Sequence, residues 1–265
     1  MYKFGLLTLL VSALCLTGSL ASTEHTLVND KQIFGMLPGM DGDLQAALHN
    51  KNRAIRLIFV RHGETFANVE KIVDGRTLDS DLTEKGIQQA QAAAEKLQGI
   101  KFEKIYSSPS TRAMRTASYV SKYDHQKPIL VDSRLYERFF GPYEGTPDET
   151  WNGLKHQQEK EIAALVTFEE RFAYKLHPDM ESNEEIYQRL SDFITEITKS
   201  EVFGNYLIVT HGGVLKAFFM AEAAKHGYIL NFYDFSSENC GMMVVDYLPS
   251  GHFNITTSQT FKYLK

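Results

Sequence analysis

Two runs of apolar and β-branched residues, Leu57-Ile58-Phe59-Val60 and Tyr206-Leu207-Ile208-Val209-Thr210, do most to restrict how this chain can fold. Runs of this length and composition read as short strands buried in a sheet. Each ends in a histidine next to glycine: Arg61-His62-Gly63-Glu64-Thr65 follows the first, with Arg61 leading, and His211-Gly212-Gly213 follows the second. If the two strands are neighbours, both imidazoles face a single pocket with Arg61 beside them.

The rest of the chain alternates strand and helix signals. Thr83 is placed to cap a helix over 84–97, whose Ile87, Ala90, Ala94 and Leu97 share a face and which Gly99 closes. Residues 104–107 and 128–131 read as strands, and Ser110 is placed to cap a helix running to about Ser121. Ser182 and Glu185 form a capping box before a stripe of Ile186, Leu190, Phe193, Ile194 and Ile197. A helix from about Val214 and late strands near 242–247 and 252–257 complete the pattern. This is an α/β fold: a mostly parallel sheet covered by helices on both faces, with ligands expected beyond the carboxyl ends of its strands. Residues 141–183, rich in Pro, Gly and aromatics, read as loops and short helices forming a lid.

The first residues have the plan of a secretory signal: Lys3, an apolar run to Leu16, then small residues ending in Ser19-Leu20-Ala21. The expected organisation is a signal peptide over 1–21, an N-terminal extension over 22–54 laid on the surface, and the functional domain over 55–265. The expected location is secreted or periplasmic, with no stable membrane span after cleavage. Removal of the signal takes Cys15 and leaves Cys240 alone, so no internal disulfide is expected. Asn254-Ile255-Thr256 is a glycosylation sequon, which matters only in a eukaryotic source. The net charge of -5, with no basic block, gives no reason to expect a nucleic-acid partner.

The histidine motifs suit phosphoryl transfer. The moving group spreads negative charge over its oxygens and needs preorganised donors. Arg61 and Arg112 can supply forked N–H groups, and the helix that follows Gly212-Gly213 offers free amides to an anion. A neutral imidazole is a good nucleophile toward phosphorus. We expect His62 to attack, since Gly63 lets the backbone come close, and His211 to donate to the oxygens. A carboxyl group must protonate the leaving oxygen, but spacing alone does not choose it among many Asp and Glu residues.

These motifs resemble those of the histidine phosphatase superfamily, in the branch that includes cofactor-dependent phosphoglycerate mutase and fructose-2,6-bisphosphatase. Five blocks carry the resemblance, in family order from about residue 55 to 250. They are Arg61-His62-Gly63-Glu64-Thr65 with Asn68; Leu82-Thr83-Glu84-Lys85-Gly86 with Gln89-Ala90; Ser107-Ser108-Pro109 with Arg112-Ala113 and Thr116-Ala117; the stretch from Leu135 to Gly145; and His211-Gly212-Gly213. The resemblance implies a phosphoglycerate mutase-like fold, a phosphorylated His62, Glu137 as acid and then base, and Arg61, Arg112 and His211 around the phosphoryl oxygens. It further implies substrate contacts from Gly63, Glu64, Thr65 and Asn68 in the loop 61–68, and from Arg138 and Gly212. Neither a metal nor a cofactor is implied. Glu181 matches a substrate-binding Glu in sugar-phosphate members, and Arg115 is placed on a solvated helix face.

The family's mutases have tryptophan where this chain has Ala67, and Gly-Trp where it has Gly75-Arg76. The expected activity is therefore that of an exported phosphomonoesterase acting on a phosphorylated small molecule or phosphopeptide. The alternatives are a phosphoglycerate-type mutase and a secreted binding module with vestigial catalysis.

Overall fold

The computed structural model describes residues 43–263, apart from 51–53, 125, 200–201, 228–229, 231–234 and 249–250. The signal over 1–21 and most of the extension lie outside the described residues. The centre is a six-stranded sheet in the order β3-β2-β4-β1-β6-β7, built from β1 (Ile55–Arg61), β2 (Phe102–Ser107), β3 (Ile129–Val131), β4 (Gly204–Thr210), β6 (Met242–Tyr247) and β7 (Phe253–Ser258). The first four run parallel, while β6 and β7 are antiparallel additions at one side, so the sheet is mixed but mostly parallel. A separate antiparallel pair joins β5 (Phe235–Ser237) to β8 (Phe261–Tyr263).

Successive side chains of a strand point to opposite faces, and both faces are covered. On one face Leu57, Phe59, Tyr206, Ile208, Met243 and Val245 pack with helices α7 (Asn183–Thr198) and α8 (Gly212–Lys225). The capping box of Ser182 and Glu185 starts α7, and its expected stripe is buried there. On the other face Ile58, Val60, Leu207, Val209, Met242 and Val244 pack with α3 (Glu84–Lys96) and α4 (Thr111–Val120). Burying each Leu, Ile or Phe contributes about 1.5–3 kcal/mol, so these two clusters carry the fold.

Three local expectations change. Residues 44–49 form a short helix, α1 (Leu44–His49), capped by Asp43, and its Leu44, Ala47 and Leu48 belong to the second cluster. This part of the extension is thus core, because Leu44, Ala47 and Leu48 share one face. The lid region contains a sixteen-residue helix, α5 (Asp148–Ala163), then α6 (Phe168–Ala173), rather than short helices alone. Ser110 stands at the N-cap of α4 but makes no capping hydrogen bond; its hydroxyl has another use, described below.

At the amino end of β1, Arg56 meets its register partner Asp246 through two bonds of 2.7 and 3.0 Å, with both side chains buried. Removing either partner would strand the other charge, a loss of about 3–5 kcal/mol.

Candidate active site

Strand register brings the two histidines together. Arg61 pairs with Thr210 across β1 and β4, so His62 and His211 leave the sheet side by side. The His62 amide donates to the Thr210 carbonyl at 3.0 Å. The two rings lie 5.1 Å apart between centroids, tilted by 59°. The chain crosses over at this point: β1 leads to β2 beyond β4, and β4 leads on to β6 beyond β1. Open α/β sheets bind ligands at such a crossing.

His62 Nδ1 lies 2.8 Å from the Gly63 carbonyl. A carbonyl can only accept, so Nδ1 carries the proton and Nε2 keeps its lone pair. Burial first, then the positive charges of Arg112 and Arg61, hold this imidazole well below its ordinary pKa. It is therefore neutral at physiological pH, as a nucleophile must be. His211 is likewise held low by burial and then by Arg112. Its Nε2 faces the hydroxyls of Ser108 at 2.8 Å and Ser110 at 3.3 Å. Ser110 thus orients His211 in place of capping α4. Where Nε2 accepts the Ser108 proton, Nδ1 carries the N–H; that buried atom has no partner among the described residues. Arg61 Nε is also buried and unpartnered, while Nη1 donates to the Ser237 carbonyl. Such orphan donors are rare in the absence of a ligand and mark a place for an anion's oxygens.

Glu137 stands against the start of α8. Its Oε1 accepts from the Arg138 amide at 2.7 Å, and its Oε2 from the Gly213 amide at 3.1 Å. Its backbone carbonyl accepts from Arg76 Nε at 3.1 Å and, at 3.4 Å, from Arg189 Nη2. Glu181 binds both arginines, through Arg76 Nη2 at 2.6 Å and Arg189 Nε at 2.7 Å. The Glu181 carboxylate thus pairs with the two cations that hold the Glu137 backbone. A cavity of about 190 Å³ opens beside Glu137, lined also by Asn68, Lys71, Val73, Asp74 and Phe140. A larger recess of about 650 Å³, lined by Phe168, Phe172, Tyr187 and Lys225, contains none of these catalytic groups.

Other expected substrate contacts are redirected. Glu64 accepts from Thr83 Oγ1 at 2.9 Å and from Lys85 Nζ at 2.7 Å, so it braces the loop against α3. Behind it the Gly63 and Glu64 backbones cross so close to Gly86 that a Cβ at either glycine would strike the opposing chain. Thr65 is buried and caps α2 (Phe66–Glu70) in a box with Asn68. The Asn68 oxygen accepts from Thr65 and Asn239, which leaves its amide N–H₂ for the cavity. Arg138 is buried and donates to the Glu181 carbonyl and to Asn183, so it ties the segment to α7. Arg115 pairs with Asp81 at the surface. Gly63 donates to Thr116 Oγ1 at 3.0 Å, and Gly212 has room for no side chain against Ser237 and Arg61. Arg112 is buried in the site, yet its terminal nitrogens donate to Asp74 Oδ1 at 2.9 Å and to the Gly75 carbonyl at 2.8 Å. Asp74, Arg76 and Arg189 are site residues that sequence reasoning missed. They read as ordinary charges in polar stretches, and only the fold brings them to Arg112 and Glu137.

The titrating groups give the site a pH signature. Burial pushes the Asp74 carboxyl up to about 7. In the unfolded chain two imidazoles take up protons below about pH 6.5, whereas the folded protein keeps them neutral. Asp74 opposes this, since the folded protein holds its proton down to about pH 4 while the unfolded chain has released it. Burial holds both imidazoles below their ordinary range in the folded protein, so unfolding free energy should fall as the pH drops below about 6.5, less steeply than two imidazoles alone would give because Asp74 opposes them. Urea midpoints of the wild type and His211→Gln test this: the variant should be less acid-sensitive, and equal pH dependence would contradict it.

Comparison with known proteins agrees with this geometry. A metal-independent phosphoserine phosphatase of Arabidopsis thaliana is 32% identical over 187 residues, 68% of this chain and 75% of the relative. The adenosylcobalamin/alpha-ribazole phosphatase of Escherichia coli is 29% identical over 164 residues, 61% of this chain and 75% of the relative. Among solved structures, YhfR of Bacillus stearothermophilus superposes with a TM-score of 0.64 at 28% identity, over 76% of this chain and 95% of its own. A phosphoglycerate mutase of Bacillus anthracis gives 0.61 at 25%, over 77% and 92%. The family description of the histidine phosphatase superfamily (branch 1) matches residues 57–258, and with paired histidines at the ends of β1 and β4 the chain belongs to that family and is a histidine phosphatase.

Proposed function

We propose that the protein is an exported phosphomonoesterase that works through a phosphohistidine on His62, with Glu137 as general acid and base. The observation that carries this reading is the neutral His62 ring. Its Nδ1–H is given to the Gly63 carbonyl, and Nε2 is free beside two unpartnered donors, Arg61 Nε and His211 Nδ1. In the first step Nε2 bonds to phosphorus as the ester P–O bond breaks, and Glu137 gives its proton to the leaving oxygen. In the second, water attacks phosphorus, Glu137 takes the water's proton, and the N–P bond returns its electrons to His62. Arg61 and His211 stabilise the oxygens in both steps.

The named relatives include phosphatases of phosphoserine and of alpha-ribazole derivatives, which supports a phosphorylated small molecule as substrate. Hydrolysis over mutase chemistry rests on the sequence departures from the mutase pattern at Ala67 and Gly75-Arg76. Export rests on the leader sequence over 1–21, and the mature catalytic domain on 55–265.

Rapid quench with a phosphomonoester, followed by mass spectrometry under conditions that preserve N–P bonds, tests the reading. Phosphate on His62 is expected, and phosphate on another side chain would overturn it. 3-Phosphoglycerate isomerised faster than phosphate is released would assign the site to a mutase.

A further inference from the structure

Asp74 has no role in the two steps above, yet it occupies the phosphoryl site. Its Oδ1 accepts from Arg112 Nη1 at 2.9 Å, and both side chains are almost wholly buried, at 5% and 1% exposure. Its Oδ2 is buried with no hydrogen-bond partner among the described residues. The Arg112 guanidinium is thus held by the segment 74–78 and not presented as a free fork: Nη1 reaches Asp74 Oδ1 and the Leu78 carbonyl, and Nη2 the carbonyls of Asp74 and Gly75.

Resting on the phosphoryl-site reading, we propose that Asp74 is a proton-controlled rival of the phosphoryl group for Arg112. Ionised, it keeps the guanidinium and adds a negative charge to the site. Protonated, it withdraws its negative charge from Arg112, which leaves the guanidinium charge to the phosphoryl oxygens, and offers them an O–H of its own.

Two observations support this beyond the contact itself. An unpartnered carboxylate oxygen in a buried site is costly, and protonation or a ligand donor relieves it. The charges facing Asp74 from the packed elements also favour its neutral form. Arg112 of α4 stabilises the carboxylate; Glu137 beside α8, Asp79 in the following loop and Glu144 of the lid all oppose it. Asp79 is fixed by Thr111 and Glu144 by the amides of Arg76 and Phe140, so neither can swing away cheaply. Lys71 and Asn68 line the adjoining cavity without a bond to Asp74. Burial and these carboxylates together push the Asp74 carboxyl up to about 7, so the switch lies within the physiological range. His62 and His211 are held low and stay neutral there.

The probe is tungstate, a tetrahedral dianion across the neutral range, used as a competitive inhibitor of aryl phosphate hydrolysis. In the wild type its inhibition constant should rise by up to about tenfold per pH unit above pH 7, the linkage of one proton to one anion. In Asp74→Asn that limb should flatten. The ratio of wild-type to variant constants should therefore grow at least about tenfold between pH 6.5 and 8.5, whatever the variant's absolute affinity. A limb that persists unchanged in the variant would belong to another group and would overturn the proposal. Tungstate that fails to bind at any pH would overturn the phosphoryl-site reading itself.

If the variant does not fold, wild-type protein with ¹³Cγ-labelled aspartate decides. One carboxyl should titrate near neutrality and move to its protonated position when tungstate is added at about pH 7.5. No responding aspartate would sink the idea.

Discussion

His62→Ala should lower kcat/KM for any phosphomonoester by at least about 10⁴-fold, while leaving the fold intact. Among the described residues, His62 and His211 are the paired imidazoles of the site, and with Nδ1–H given to Gly63 the His62 ring offers its Nε2 lone pair. His211 cannot replace it, because Ser108 and Ser110 hold its Nε2. Removing a buried ring leaves a small polar-lined void and relieves the burial of a titratable group, so the cost to stability should be modest. Steady-state kinetics with an aryl and an alkyl phosphate, read beside urea unfolding, check this. A variant that kept more than a few per cent of wild-type turnover would show that water attacks phosphorus directly and that no phosphohistidine is required.

Gly213→Ala should lower turnover of alkyl phosphates by about 10²-fold or more, and of aryl phosphates much less. A Cβ at Gly213 would overlap Glu137 Oε1. That oxygen ends a flexible side chain, so the fold can yield by turning the carboxyl aside. Doing so breaks the bonds from the Gly213 and Arg138 amides that aim it. Poor leaving groups need the proton most, and aryl oxides leave with little help. The ratio of alkyl to aryl rates therefore separates a misplaced acid from a general loss of structure. Equal losses on both substrates would remove Glu137 from the role of proton donor.

Much of the fold was legible because local and global signals agreed. The apolar runs at 57–60 and 206–210 are central strands, and the caps at Thr83 and Ser182 start α3 and α7 where expected. The two histidines were legible for the same reason, since each ends a strand and register did the rest. Failures came where a polar side chain served something distant in sequence. Ser110 has the residue type and place of a cap, but His211 claims its hydroxyl. Glu64, Thr65 and Arg138 also bond neighbouring elements, which the motifs alone did not show. Helix α5 gave only a weak helical signal, since it carries Gly153 and few apolar residues on a common face. Asp74 gave none, because an acid between Val73 and Gly75 looks like any solvated turn until Arg112 arrives from 38 residues further on.

The position of β4 has a consequence for biosynthesis. It lies between β1 and β2, which do not touch each other, although it is made long after both. A nascent chain that ends before Gly204 therefore holds two apolar ribbons with bare edges and a slot between them. Such edges invite pairing with other chains. Closing the slot covers the facing edges of β1 and β2 and delivers His211 to His62 in one event, so turnover of substrate requires that β4 is seated.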